Sequence, residues 1–212
     1  MMQAVGAIHA AAAKKVKRAS QDEQNELLDA LRRQKGRLTS VAVVPTAEAH
    51  SLAWAGVLRT CLDEAHVAGS RLSETSTTSG RSGGPLLVCP DAVVKELVVA
   101  VVGGLRERIV LAIDSGEADS ATDRVNARYR EWKSQQLDAL LTDALVAAFV
   151  SGAFAMIPAG STLQWVEADG GCCSECADNT LESVLKGAEF PTGHALPPAH
   201  PACRCAVVVL AN

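Results

Sequence analysis

Aromatic residues are scarce in this chain of 212 residues, where Trp, Tyr and Phe together make up 3%. Proteins that bind single-stranded nucleic acid on a stacking platform need exposed aromatic rings, so the composition argues against that class. An excess of positive charge is also lacking, because the formal net charge is −4, whereas proteins that coat DNA through its phosphates are usually basic. Hydrophobic residues nevertheless make up 48%, which is enough for a substantial core.

Long apolar runs are lacking as well. The longest uncharged apolar stretch, from Ala144 to Pro158, is shorter than the roughly 20 residues that a membrane-spanning helix needs. The N-terminus does not have the order of a secretory signal, because its alanine run precedes the basic residues that follow from Lys14 to Arg18. We therefore expect no membrane contact and a reducing compartment, in which disulfides are rare.

The positive charge that the chain does have is concentrated at its beginning. Residues 1–40 contain eight Lys or Arg and four Asp or Glu, whereas residues 160–212 contain two and six. A solvated helix face is the usual reason for such a basic segment. Contact with an acidic partner, either a protein or a nucleic acid, is the alternative.

Apolar residues at helical spacing predict a helical body up to residue 159. We expect helices in residues 1–37, from the N-cap Thr46 to about residue 68, from 91 to 114, and from 117 to about 157. Gly152 is a point at which the last of these helices could end early. Residues 69–85 are rich in Ser, Thr and Gly and predict a flexible surface loop.

The character of the chain changes after residue 160. Leu163–Ala168 and Ala206–Leu210 predict strands, and core packing is the expected role of Trp165 in the first of them. Residues 180–186 predict a short helix that ends at Gly187. The predicted organisation is a helical body, 1–159, followed by a small α/β module, 160–212.

Five of the seven cysteines lie in the last 41 residues. Cys173 and Cys176 form a C-x2-C pair, and His200 and Cys203 form an H-x2-C pair further on. Zinc takes four Cys or His ligands tetrahedrally, and in a reducing compartment this spacing favours a metal over a disulfide. The predicted ligands are Cys173, Cys176, His200 and Cys203, with Cys205 as an alternative fourth. The expected fold class is therefore mainly α, with a small C-terminal α/β module held by a structural zinc clip.

A metal has a clear purpose in this module. About 50 residues rarely bury enough surface to fold alone, and the free energy of metal binding becomes free energy of folding. Cys172 could replace Cys173 as a ligand, although its spacing to Cys176 is looser. A redox or nucleophilic cysteine is another alternative, but a redox C-x2-C normally opens a helix after a strand in a βαβ unit. We therefore predict no catalytic residue and no enzyme.

An ordered set of residues gives the C-terminal block a recognisable pattern. The pattern comprises Trp165, Asp169, Cys173-x2-Cys176, Phe190-Pro191, Pro197-Pro198 and His200-Pro201-Ala202-Cys203-Arg204-Cys205. This block resembles the C-terminal signature of the Mu F-like phage head-morphogenesis family, the minor head proteins. It covers about a fifth of the chain, and its His-Pro-x-Cys-Arg-Cys ending is its most specific part.

The resemblance implies a structural minor head protein of a tailed phage, which associates with the portal inside the capsid and acts in head morphogenesis. It implies the portal and other head proteins as partners, with several copies of the chain in each particle. The expected location is the virion interior near the portal, and the host cytoplasm during assembly. The basic N-terminus would allow weak contact with packaged DNA. The alternative function is that of a nucleic-acid-binding protein with a zinc module, and a cysteine-based enzyme is the weaker third.

Overall fold

The computed structural model describes residues 1–34, 38–76, 88–115, 120–167 and 174–210. The helices in these ranges are α1 (Met2–Arg33), α2 (Ser40–Val43), α3 (Ala47–Ser76), α4 (Asp91–Asp114), α5 (Ala121–Glu131), α6 (Leu137–Met156) and α7 (Ser174–Asn179). The strands are β1 (Thr162–Val166), β2 (Ser183–Leu185) and β3 (Ala206–Val209). The prediction of a mainly α protein with a small C-terminal α/β region is confirmed, since 71% is helical and the strands form one antiparallel sheet.

Two compact units make up the chain. One, here called the mixed unit, contains Met1–Ile8, Cys61–Pro90 and Leu145–Asn212, and it includes the sheet. The other, here called the helical unit, contains His9–Thr60 and Asp91–Ala144. Residues on both sides of the predicted boundary between 159 and 160 belong to the mixed unit, and that boundary stays a prediction.

The helical unit is held by apolar stripes at helical spacing. On α4 the buried residues are Val94, Val98, Val101, Val102, Leu105, Ile109, Ala112 and Ile113. The predicted N-cap at Thr46 is confirmed, because its Oγ1 accepts a hydrogen bond from the Ala49 amide at 3.2 Å. A single π-helical turn, Trp132–Gln136, joins α5 to α6. Its Trp132 is fully buried and donates to the Val101 carbonyl at 3.3 Å.

A carboxylate stands at the centre of the polar contacts in this unit. Glu23 accepts hydrogen bonds from the Trp54 indole and the Tyr129 hydroxyl, and its Oε2 lies 3.2 Å from Nε2 of His50. Burial alone would raise the pKa of Glu23. Its partners outweigh that effect, His50 first and then Tyr129 and Trp54, so the pKa lies below its ordinary value of 4.5.

We expect Glu23→Gln to destabilise the protein by about 2–4 kcal/mol at neutral pH, because an amide cannot accept from all these donors and leaves buried groups unpaired. A carboxylate whose pKa is lowered by folding stabilises the folded state above its unfolded pKa, and loses that effect as pH falls through the folded pKa. The difference between wild type and variant should therefore shrink below about pH 4.5. Urea unfolding at several pH values measures it. Glu26→Gln, one turn away and exposed, is the matched control and should stay within about 0.5 kcal/mol of wild type.

In the mixed unit, α3 and α6 approach each other at two glycines. A Cβ at Gly69 would lie 1.9 Å from the Phe149 carbonyl oxygen, and a Cβ at Gly152 would lie 1.9 Å from that of His66. One prediction is therefore wrong, because residues 69–76 are helical rather than part of a loop. The predicted end of the last long helix at about residue 157 is confirmed, since α6 continues to Met156, and the alternative of an early end at Gly152 does not hold. Both glycines serve close helix packing instead of ending a helix. The rest of the predicted loop, residues 77–85, lies outside the described residues.

The sheet has the strand order β2-β1-β3, with both pairs antiparallel. Leu163 pairs with Val184 on one side and with Val209 on the other. The predicted strands around Leu163 and Ala206 are confirmed. The predicted helix at residues 180–186 is wrong, because Ser183–Leu185 is β2. Pairing with β1 overrides the weak local preference of this short segment. Gly187, the predicted end of this segment, lies two positions after β2 and has φ at +95°.

One helical stretch among the described residues is long and apolar enough to cross a membrane by length and composition. It is Ala121–Met156, 36 residues, which contains α5, the π turn and α6. Six of the eight charged residues in this stretch lie between positions 123 and 133, so its apolar part is the second half, and the expectation of no membrane contact stays a prediction. The core helix of a soluble protein passes the same test, and 44% of the apolar window is buried inside the protein.

Candidate metal centre

Three of the predicted ligands meet at one end of the small sheet. Cys176 lies on α7, and His200 and Cys203 lie on the segment that leads into β3. Cys176 and Cys203 are buried at 0% and 2% exposure, whereas His200 is half-buried. Their ligand atoms all lie within 4.8 Å of one another, so the group can hold a metal ion.

The distances fit a tetrahedral site. With thiolates at about 2.3 Å from a zinc ion, two sulfurs at a tetrahedral angle are about 3.8 Å apart. The Sγ atoms of Cys176 and Cys203 are 3.7 Å apart. Nε2 of His200 lies 3.2 Å from Sγ of Cys176, a few tenths of an ångström closer than the roughly 3.5 Å that such a site requires. These two distances are close to those that one tetrahedral ion requires, and the third pair, His200 with Cys203, lies within 4.8 Å.

The imidazole of His200 is oriented by the main chain. Its Nδ1 lies 2.8 Å from the carbonyl oxygen of Pro201, which can only accept a hydrogen bond. A neutral His200 that makes this bond carries its proton on Nδ1 and presents the lone pair of Nε2 towards Cys176. Metal-binding histidines are commonly fixed in this way by a second hydrogen bond.

A tight turn brings His200 and Cys203 to the same side. The Cys203 amide donates to the His200 carbonyl at 3.1 Å, which closes a four-residue turn with Pro201 in its second position. Ala202 follows with φ at +61°, the left-handed conformation that the third position of a type II turn requires and that glycine usually fills. A residue with a side chain adopts this conformation at a cost of about 1–2 kcal/mol. Strain of this kind concentrates at functional sites.

A small apolar core supports the group. Trp165 is buried at 1% exposure and packs edge-to-face on Phe190, with ring centroids 5.1 Å apart. The two rings share a core with four further buried residues of the ligand region and the sheet, and with one residue at the end of α6: Leu163, Cys176, Cys203, Cys205 and Ile157. The predicted core role of Trp165 is confirmed. Since rings and ligands share one core, displacement of either affects the other.

The fourth ligand is not among the residues that meet here. Cys173, the predicted fourth ligand, lies outside the described residues, as does Cys172. Cys205, the alternative, is buried at 2% exposure but is not a member of the group formed by the other three. Cys61 and Cys89 are buried elsewhere in the mixed unit.

Two supporting features were missed by sequence reasoning. Asn179, fully buried at the end of α7, accepts a hydrogen bond at Oδ1 from the Thr192 amide at 3.0 Å, and so ties the loop before His200 to the helix that carries Cys176. The other feature is the left-handed Ala202 between two predicted ligands. No local signal identifies the bond of Asn179, because its partner is 13 positions away.

Comparison of the chain with protein-family models, with curated proteins and with solved structures finds no match.

Proposed function

We propose that this chain is a structural minor head protein of a tailed phage, in which a zinc ion holds the C-terminal α/β region in the form that docks onto the portal. The observation that carries the proposal is the convergence of Cys176, His200 and Cys203. These residues belong to the same block that resembles the head-morphogenesis signature, and a ligand set distributed over 27 positions meets only when that block folds as a unit.

Zinc suits the donor set. Two thiols and one imidazole are ligands for zinc, whereas magnesium and calcium prefer oxygen. When bound, the ion supplies a rigid cross-link between α7 and the segment before β3. Residues of the chain orient and shield the site. The Pro201 carbonyl fixes the imidazole of His200, and the buried surroundings of Cys176 and Cys203 exclude water.

A structural role fits these surroundings better than a catalytic one. A catalytic zinc keeps a position open to substrate, together with an acid or base beside it. Here the two thiols are buried in an apolar core with Trp165 and Phe190. Such a site stabilises a fold, and the surface of that fold is then available for a partner.

The test is co-sedimentation with the portal, scaffold and capsid proteins encoded in the same genome, produced together under conditions that form procapsids. We expect the chain to sediment with portal-containing particles, and Cys176→Ser to reduce the bound amount by about tenfold or more, in line with loss of a metal-dependent fold. Cys61→Ser, the same change at a buried thiol outside the cluster, should sediment as wild type does. Absence of wild-type chain from every portal, scaffold and capsid fraction would refute the portal role.

The basic segment of α1 does not add weight to the nucleic-acid alternative. Lys15 donates to the Thr60 hydroxyl at 3.3 Å, and the Lys17 ammonium lies 3.7 Å from the Asp138 carboxylate. These contacts direct part of the positive charge to side chains of the helical unit itself. We therefore advance the structural role alone.

A further inference from the structure

We propose that the outer edge of β3 pairs, antiparallel, with the β3 of a second copy of this chain, so that two three-stranded sheets join into one of six strands. The order β2-β1-β3 leaves β3 with a strand on one side only, within the part of the chain that the structure describes. The register of β3, its composition and the surface beside it all favour a second copy as its partner.

The backbone amides and carbonyls of β3 point alternately towards β1 and away from it. The Leu210 amide donates to the Thr162 carbonyl at 3.0 Å, so Leu210 and Thr162 form a hydrogen-bonded pair. In an antiparallel ladder such pairs alternate with non-bonded ones. The next pairs along the strand, Leu163 with Val209 and Trp165 with Val207, differ: Val209 and Val207 point their amides and carbonyls away from β1. Two donors and two acceptors therefore face outward.

The outward-facing backbone groups of two copies of β3 are complementary to each other. If two copies of β3 run antiparallel with Val208 opposite Val208, then Val207 of each copy lies opposite Val209 of the other. These are the residues whose backbone groups face outward, so both pairs are hydrogen-bonded pairs and four hydrogen bonds form around a two-fold axis. A shift of this register by one residue would place inward-facing groups at the junction and lose this match.

The free edge of β3 lacks the residues that usually prevent an edge strand from pairing with another chain. Residues 206–210 read Ala-Val-Val-Val-Leu, without a charge, proline or glycine. Natural sheet edges are usually guarded by such residues. The opposite edge, β2, is guarded in this way, since Glu182 and Lys186 flank its three residues. Because β3 is uncharged, its pairing with a second β3 brings no like charges together. The two edges of the sheet thus differ, since charged residues flank β2 and none lies in β3.

An apolar surface lies beside β3. A groove of about 560 Å³ runs along β3 and is lined mainly by apolar side chains. They include Phe149 and Phe154 of α6, Ile157, and all four residues of β3. Val208 and Val209 are 43% and 46% exposed, as is Leu210 at 40%. A second β3 would cover these side chains as it forms its hydrogen bonds.

The test is the molecular mass of the full chain across a concentration series, by sedimentation equilibrium. We expect a reversible dimer with a dissociation constant on the order of 10–100 µM, weak because strands of four or five residues bury less area than standard interfaces. Val209→Pro removes an outward amide but none of the bonds to β1, and should weaken the dimer by about tenfold or more. Leu185→Pro is the matched control: it also removes an outward amide, at the edge of β2, and should leave the dimer intact.

The register is tested by a charge pair. Val208→Lys and Val208→Glu, each alone, should weaken the dimer because like charges then lie directly opposite, whereas an equal mixture of the two should associate about tenfold more tightly than either alone. Circular dichroism of each variant checks that the sheet has folded. A wild-type chain that stays monomeric at about 1 mM, or a dimer that is as tight with Val209→Pro as without it, would overturn the proposal. So would a mixture no tighter than its components.

Discussion

Alanine at Gly152 or at Gly69 is expected to destabilise the protein by about 3 kcal/mol or more. At either position the new methyl group would lie 1.9 Å from a carbonyl oxygen of the facing helix. A flexible side chain could move aside, but a main-chain carbonyl in the middle of a helix cannot move without displacing the helix. Urea unfolding followed by circular dichroism measures the loss, and the double variant should lose more than either single one.

Two other helical glycines supply the control. At Gly56 and at Gly6 a Cβ would meet nothing within 4 Å. Alanine there should stabilise the protein by about 0.5–1 kcal/mol, because alanine loses less conformational entropy than glycine in a helix. A pair of results in which Gly152→Ala and Gly56→Ala have the same sign would contradict the close approach of α3 and α6.

Metal removal is expected to have the other large effect. Protein purified without chelator should contain about one zinc per chain, and Cys176→Ser, Cys203→Ser and His200→Ala should each lower it to about a tenth or less, because each removes one of the four ligands that a structural zinc needs. The thermal transition of the mixed unit should fall by several degrees when zinc is removed. Elemental mass spectrometry gives the metal content, and differential scanning calorimetry gives the transition.

The fourth ligand can be assigned in the same experiment. Cys173→Ser and Cys205→Ser are compared side by side, and the one that loses metal identifies the ligand. Cys61→Ser is the matched control and should retain the full amount, because Cys61 is buried outside the cluster. Zinc-free wild-type protein that is as stable as protein loaded with zinc would exclude a structural metal at this site.

Local patterns predicted the elements whose signals are strong and close in sequence. Asp91–Asp114 was found with both bounds, since an apolar stripe follows an acidic start, and Thr46 was found because capping is a local interaction. The predicted strands around Leu163 and Ala206 follow from β-branched and apolar runs. The cluster of Cys176, His200 and Cys203, which could hold a metal ion, was predicted because metal-ligand spacing is itself a sequence signal.

The errors arose where distant contacts determine the local structure. Gly69 and Gly152 carry the composition of helix ends, but their partners lie about 80 positions away in sequence, and no local pattern shows that two helices cross there. Residues 180–186 have no strong preference, so β1 decides that part of them forms a strand. The identity of the fourth ligand is a similar case, because the spacing of Cys203 and Cys205 alone does not say which sulfur turns towards Cys176.

The 24 positions that separate Cys176 from His200 have a topological consequence. With an ion bound to both, the intervening chain, which includes β2, becomes a closed ring. Closing a ring of this size in the unfolded chain removes conformational entropy worth about 3 kcal/mol, by the same reasoning that applies to a disulfide. A single cut by a protease inside the ring would leave both pieces joined through the ion. The chain would then come apart only after a second event, the loss of the metal.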